Sequence, residues 1–233
     1  MPAQNRPGLQ AFLDYIKYEK RYSTHTLISY ETDLRDFEAY IRRHYGNLAL
    51  KEMTHSFIRG WLAELKQNGL TSKSINRKIS ALRSFFKYHL RVGNLESSPM
   101  VNVIAPKNAK RLPVFIKEEE TKELLETLAG TTEDWKSLNA KMLIALFYST
   151  GMRLSELINL KEKQLDLTRA QIKVLGKGNK ERIIPVSQQL MNEIGDYREL
   201  KKKEFEKQED VLLVTEKGKK LYSKYAYLLV KKY

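Results

Sequence analysis

Cysteine is absent from the 233 residues, which excludes a disulfide framework, a thiol nucleophile and cysteine-ligated zinc or iron–sulfur centres. No apolar run approaches the length needed to cross a bilayer. The opening Met1-Pro-Ala-Gln-Asn-Arg-Pro7 has no apolar stretch of the secretory kind, so a soluble cytoplasmic protein is expected, away from membranes. Histidine is scarce. His25, His44, His55 and His89 all precede residue 90, which leaves the later residues without an imidazole base or ligand and reads as surface or partly buried helix positions. No Asp/Glu cluster has metal-binding spacing, which argues against a two-metal nuclease.

What the chain does have is positive charge. Lys and Arg total 42 against 28 Asp and Glu, a net +14, and an excess of this size points to a polyanionic partner, most often nucleic acid. The charge is uneven: residues 1–110 carry 18 basic and 9 acidic side chains, whereas residues 111–233 carry 24 and 19. The hydrophobic share of 42% is ordinary for a folded protein, so wholesale disorder is excluded.

Periodicity divides the chain in two. Apolar residues recur at helical spacing through Leu9–Ile16, Leu27–Ile41, Phe57–Leu65 and Ile75–Leu90, with Ser23, Thr54 and Ser72 near the starts and Gly69 stopping the third helix. Four short helices with brief links predict a small bundle over residues 1–93. Prolines 99, 106 and 113 break the pattern, and residues 94–113 read as a linker. Residues 114–233 mix types. Helices are predicted over Glu118–Leu128 and Leu138–Tyr148, then a short one. A hairpin follows, from Gln171–Leu175 and Arg182–Val186 around Gly176-Lys-Gly-Asn-Lys180. A charged helix over Ser187–Lys207, a third strand over Val211–Thr215 and a last helix capped by Ser223 complete the reading. The fold class is mainly α with a small β-sheet: a four-helix domain followed by an α+β domain.

Three segments can carry chemistry. In Ser149-Thr-Gly-Met-Arg-Leu-Ser-Glu-Leu157, Gly151 breaks a helix and Arg153 falls in the first turn of the next, suited to bidentate contact with a phosphate. Glu156, three residues on, can lock the arginine rotamer; spacing alone leaves an ordinary ion pair at a helix start open. In the hairpin, glycines flanking Lys177 let the backbone approach a ligand, with Lys177 at the tip and Lys180 and Arg182 beside it. A solvated basic turn is the simpler alternative, and the spacing of a Walker A loop is absent. On the fourth helix Lys73, Arg77, Ser80, Ser84, Lys87 and Arg91 form a basic, hydroxylic stripe, with Arg83 beside it and no acid within it. Such a face can meet phosphates and base edges in a major groove, although any surface helix has a polar stripe.

Taken together, these segments resemble the tyrosine recombinases of the phage-integrase family, most closely the Xer-like branch. The residues that carry the resemblance are Ser149–Leu157, Gly176–Arg182 with Pro185, Arg21-Tyr-Ser-Thr-His-Thr-Leu27 with Tyr30, and Ser74–Phe86. The resemblance implies a SAM-like core-binding domain and a catalytic domain that clamp duplex DNA. It implies strand cutting by a tyrosine through a 3′-phosphotyrosine and rejoining by reversal, without metal or ATP. Under it Arg153 matches the first family arginine, Lys177 the hairpin lysine that protonates the leaving 5′-oxygen, and Glu156 the acid that supports the arginine. Lys73, Arg77, Arg83, Lys87, Arg91, Lys180 and Arg182 are the expected DNA contacts. A homotetramer on paired DNA sites, near the nucleoid, is the implied assembly of a full-length protein.

The family's His-x-x-Arg motif, a further His or Trp and the nucleophilic tyrosine have no match. Tyr222, Tyr225, Tyr227 and Tyr233 precede the place where that motif should begin. The chain is therefore expected to be a truncated catalytic domain that binds DNA, monomeric away from it, without cutting it. A non-catalytic DNA-binding regulator on the same fold is the alternative.

Overall fold

A computed structural model of the chain describes residues 7–109, 119–120, 123, 127, 134–176, 180–206 and 209–232. The chain divides into two compact units, Met1–Leu112 and Pro113–Tyr233.

The first unit is helical. Helix α1 (Pro7–Asp14) runs into a π-helical turn, Tyr15–Glu19. Proline suits the first helical position because its missing N–H would be unpaired there anyway. Helix α2 (Thr24–Tyr45) starts at Ser23, whose hydroxyl accepts the Thr26 N–H. Thr54 precedes α3 (His55–Gln67) but makes no side-chain capping bond, and α4 (Ser72–Arg91) is capped by Thr71, which accepts the Ser74 N–H. Phe12, Phe37, Ile41, Ile58, Trp61, Ile79, Leu82 and Phe86 bury themselves between these helices. The chain beyond α4 stays with this core: Met100 and Val103 are buried, and Arg83 donates to the Val103 carbonyl.

The second unit is built on α5 (Trp135–Thr150), which is buried along Met142–Leu146. Its middle turns are apolar on every side and lie inside the unit's core, while Lys136, Tyr148 and Ser149 toward its ends are exposed. Gly151 ends it at φ 58, ψ 20 and returns its N–H to the Phe147 carbonyl, a left-handed closure that glycine makes without strain. The single turn α6 (Leu154–Leu157) follows. Strands β1 (Leu165–Asp166), β2 (Gln171–Leu175) and β3 (Glu181–Pro185) form an antiparallel sheet in that order, with Ile172 opposite Ile184 and Val174 opposite Arg182. Helices α7 (Gln188–Glu204) and α8 (Ser223–Lys231) complete the unit.

Several sequence expectations change. Val211–Thr215 is not a strand: it is buried throughout but makes only isolated bridges, Lys161 with Val211 and Val214 with Lys220. Side chains take backbone groups of this run that a ladder would use: the Val214 carbonyl accepts from Trp135 and Asn139 at 2.9 and 2.6 Å, and the Val211 carbonyl from Lys201 at 2.5 Å. Lys201 is fully buried, and its ammonium also takes the Glu209 carbonyl at 3.0 Å and the Glu162 carboxylate at 2.7 Å. The third strand is instead β1, too short at two residues to show a period. Ser223 is the first helical residue of α8, not its cap; Tyr222 holds that position and makes no capping bond. The charged helix stops at Glu204 rather than Lys207. Of the helix expected over Glu118–Leu128, residues 119, 120, 123 and 127 are helical and the rest lies outside the described residues. His89 is fully buried rather than at a surface or partly buried position, and its Nδ1 pairs with the Asn94 amide. No described helix is long and apolar enough to cross a membrane.

Candidate functional site

The second unit places Arg153 just outside its short helix. Its backbone is extended (φ −72, ψ 151), so it is the residue before α6 rather than part of the first turn, and one turn of helix offers little dipole. What Arg153 brings is its guanidinium. The side chain is 66% exposed and, among the described residues, gives only Nη1, at 3.0 Å, to Glu156 Oε1. The Arg153 backbone N–H also donates to Glu156 Oε2 at 2.9 Å.

Glu156 is the buried centre of this group. Its side chain is 6% exposed and accepts two bonds from Arg182 on β3, Nη1 to Oε1 at 3.1 Å and Nη2 to Oε2 at 2.8 Å. The Arg182 pair is the strongest influence holding its carboxyl down to about 2; burial opposes this, and the Arg153 amide and side chain add to it. Arg182 was expected to contact DNA; in the structure two of its five N–H groups go to Glu156, and its side chain is 38% exposed. The period-two pattern of the hairpin already carried the signal: Arg182 and Ile184 lie opposite the buried Val174 and Ile172, and cross-strand partners share a face. Gly176 N–H closes the hairpin on the Lys180 carbonyl at 2.8 Å, and Lys180 is exposed. Lys177 lies outside the described residues.

A cleft of about 860 Å³ opens here, lined by Arg153, Asn159, Lys161, Lys163, Lys173 and Gly176 among others. Lys161 pairs with Asp210 at 2.6 Å and Lys173 with Glu181 at 2.8 Å. Lys163 has no ion-pair partner among the described residues, so together with the largely uncommitted Arg153 it leaves the cleft positive. A smaller cavity of about 570 Å³ in the first unit is lined mainly by apolar residues such as Leu9, Leu34, Phe37 and Ile41. The described residues contain no group of three His, Asp or Glu able to hold a metal ion.

On α4 the expected stripe is exposed but unequal. Arg77 is bonded to buried Asp33 and to Ser29 on α2. Arg91 stacks on Tyr15 at 4.1 Å and pairs with Glu19 at 3.5 Å, while Arg83 reaches the Val103 carbonyl. Ser80 returns its hydroxyl to the Asn76 carbonyl. Lys73 and Lys87 are exposed and have no ion-pair partner among the described residues. The stripe holds no acid of its own, yet α2 supplies one beneath it. Sequence reasoning missed Asp33 and Lys78, the latter buried between Asp33 at 2.9 Å and Asp36 at 2.6 Å, because the contact joins residues 42 and 45 positions apart.

Family comparison decides the wider identity. Residues 9–93 match the phage integrase N-terminal SAM-like domain, and residues 114–233 match the phage integrase family. The chain belongs to the phage integrase family. Its curated relatives in that family include the tyrosine recombinase XerC of Staphylococcus saprophyticus, 36% identical over 209 residues, covering 90% of this chain and 69% of the relative. The XerC of Staphylococcus carnosus is 39% identical over 191 residues, covering 82% and 63%. Among solved structures, the integrase fold is shared with the Tn1549 transposon integrase in complex with circular intermediate DNA (TM-score 0.72, 19% identity, 98% of this chain and 78% of that one). It is also shared with XerH site-specific recombinase bound to palindromic difH substrate (TM-score 0.68, 22% identity, 96% and 66%).

Proposed function

We propose that this chain is the DNA-holding and phosphate-activating portion of a site-specific tyrosine recombinase. The observation that carries this reading is Arg153: an exposed guanidinium held by one N–H on a buried carboxylate, at the edge of a positive cleft. That arrangement leaves Nε and Nη2 for the nonbridging oxygens of a backbone phosphate, where charge builds in the transition state. Lys177 is assigned the proton that the departing 5′-oxygen takes. In the reaction so assigned, a tyrosine oxygen bonds to phosphorus, the bond to the 5′-oxygen breaks, and reversal with a partner strand's hydroxyl rejoins the DNA. Lys73 and Lys87 on α4 are assigned to the duplex backbone. A homotetramer on paired sites, working on the nucleoid in the cytoplasm, is the assembly this chemistry requires. The 233 residues by themselves contain no His-x-x-Arg, so they are assigned DNA binding without strand cleavage.

The test is fluorescence anisotropy with a duplex across a salt series. Each lost phosphate contact lowers the slope of log K against log salt by about 0.9. Arg153→Ala is expected to lower it by that amount and to leave the bulk of the affinity intact. In the full-length protein on a suicide substrate it should abolish the covalent adduct. A wild-type chain whose affinity ignores salt, or an adduct that survives Arg153→Ala, would overturn the reading.

A further inference from the structure

Arg182 and Arg153 both reach Glu156, but on unequal terms. Arg182 donates two parallel bonds, at 3.1 and 2.8 Å, whereas the Arg153 guanidinium donates one, at 3.0 Å. Arg182 is 38% exposed and Arg153 66%. The space for the fork is provided by Gly176. A Cβ there would lie 3.1 Å from Arg182 Nη1 and 3.7 Å from Glu156 Oε1, while the backbone at 176 is not in the left-handed region. A side chain here would press on the guanidinium, which would have to give by a few tenths of an ångström, so the glycine leaves room for the fork. Parallel Arg–carboxylate forks are the strong form of the pair, and a carboxylate so engaged has little left to offer a second cation.

We infer that Arg182 is a positioning residue: by saturating Glu156 from β3 it keeps Arg153 from closing its own fork on that carboxylate, and so holds the Arg153 guanidinium out toward the cleft. The charged groups bonded to Glu156 are Arg153, beside it on the same turn, and Arg182, from the sheet. Remove Arg182, and the strongest remaining partner for a nearly buried carboxylate is Arg153. Its capture withdraws from phosphate an arginine that no substitution has touched. The inference rests on Arg153 being the phosphate ligand, and it adds a residue that acts only through Arg153.

Two measurements on the 233-residue chain test it. The first needs no DNA. The amide of residue 153 is bonded to Glu156, so its resonance reports the carboxyl. It is expected to stay flat between about pH 3 and pH 6 in the wild type and in Arg182→Gln, where Arg153 takes over the carboxylate, and to titrate inside that window in the double variant with Arg153→Ala. Titration in Arg182→Gln alone would show that Arg153 does not close on Glu156 and overturns the inference, as would a flat profile in the double variant. The second is a cycle of salt slopes. Arg182→Gln is expected to lower the slope, and the double variant with Arg153→Ala to match Arg153→Ala alone, because one residue acts through the other. Arg182→Lys should fail to restore it, since an ammonium lacks the fork. Additive losses, or full rescue by lysine, would mean that Arg182 meets phosphate itself. If the wild-type chain shows no salt-dependent binding, the DNA reading fails while the amide titration still decides the pairing.

Discussion

Glu156 couples the site to pH. Its carboxyl is held near 2 from an ordinary 4.5, first by Arg182. A depressed carboxylate contributes stability that is fully present above its unfolded value and is lost as pH falls through the folded one. The wild type should therefore lose melting temperature relative to Glu156→Gln as pH drops from about 4.5 toward about 2, and a constant gap would refute the linkage. At neutral pH Glu156→Gln should cost about 1.5–3 kcal/mol in urea unfolding, the range for hydrogen bonds to charged groups. Arg77 makes a second residue-scale case. Because Asp33 already neutralises it, Arg77→Ala should change the salt slope of duplex binding less than Lys87→Ala does, where a full contact is worth about 0.9. Equal slopes would place Arg77 on phosphate despite its ion pair.

At the scale of elements, the end of α5 sets where Arg153 emerges. Gly151 has no heavy atom within 4 Å of the position a Cβ would take, so the whole cost of Gly151→Ala is the left-handed backbone at φ 58. That predicts a loss of about 1–2 kcal/mol with an unchanged denaturant slope. A larger loss would mean that the α5–α6 junction shifts as well. The buried Lys201 ties α7 to the chain at Glu209 and Val211 and to Glu162. Lys201→Ala leaves that carboxylate with Arg198 and two carbonyls without their donor, a cost of about 3–5 kcal/mol. The helices were legible because their apolar spacing persists over three or more turns. The run 211–215 was misleading because its β-branched and apolar residues fit a buried extended chain as well as a strand, and only the side chains that reach its backbone, Lys201, Trp135 and Asn139, separate the two.

For the whole molecule, each apolar core closes within its own stretch of sequence: Leu9–Val103 for the first unit and Ala140–Leu229 for the second, among the described residues. We propose that residues 1–112 fold alone, and a fragment of that length should show one cooperative thermal transition. It should also keep salt-dependent duplex binding through Lys73 and Lys87. A fragment without a transition would show that its core needs the second unit.

The sequence by itself determined the basic charge, the helical first domain, the hairpin and the pairing of Arg153 with Glu156, because each is written in composition or in spacings of a few residues. Tertiary structure decided which cations are free. Arg182, 26 residues from Glu156, and Asp33, 44 residues from Arg77, meet their partners only when separate elements pack. Such a meeting shares an exposed cation with a carboxylate and takes up part of its N–H groups, which no spacing of a few residues could show.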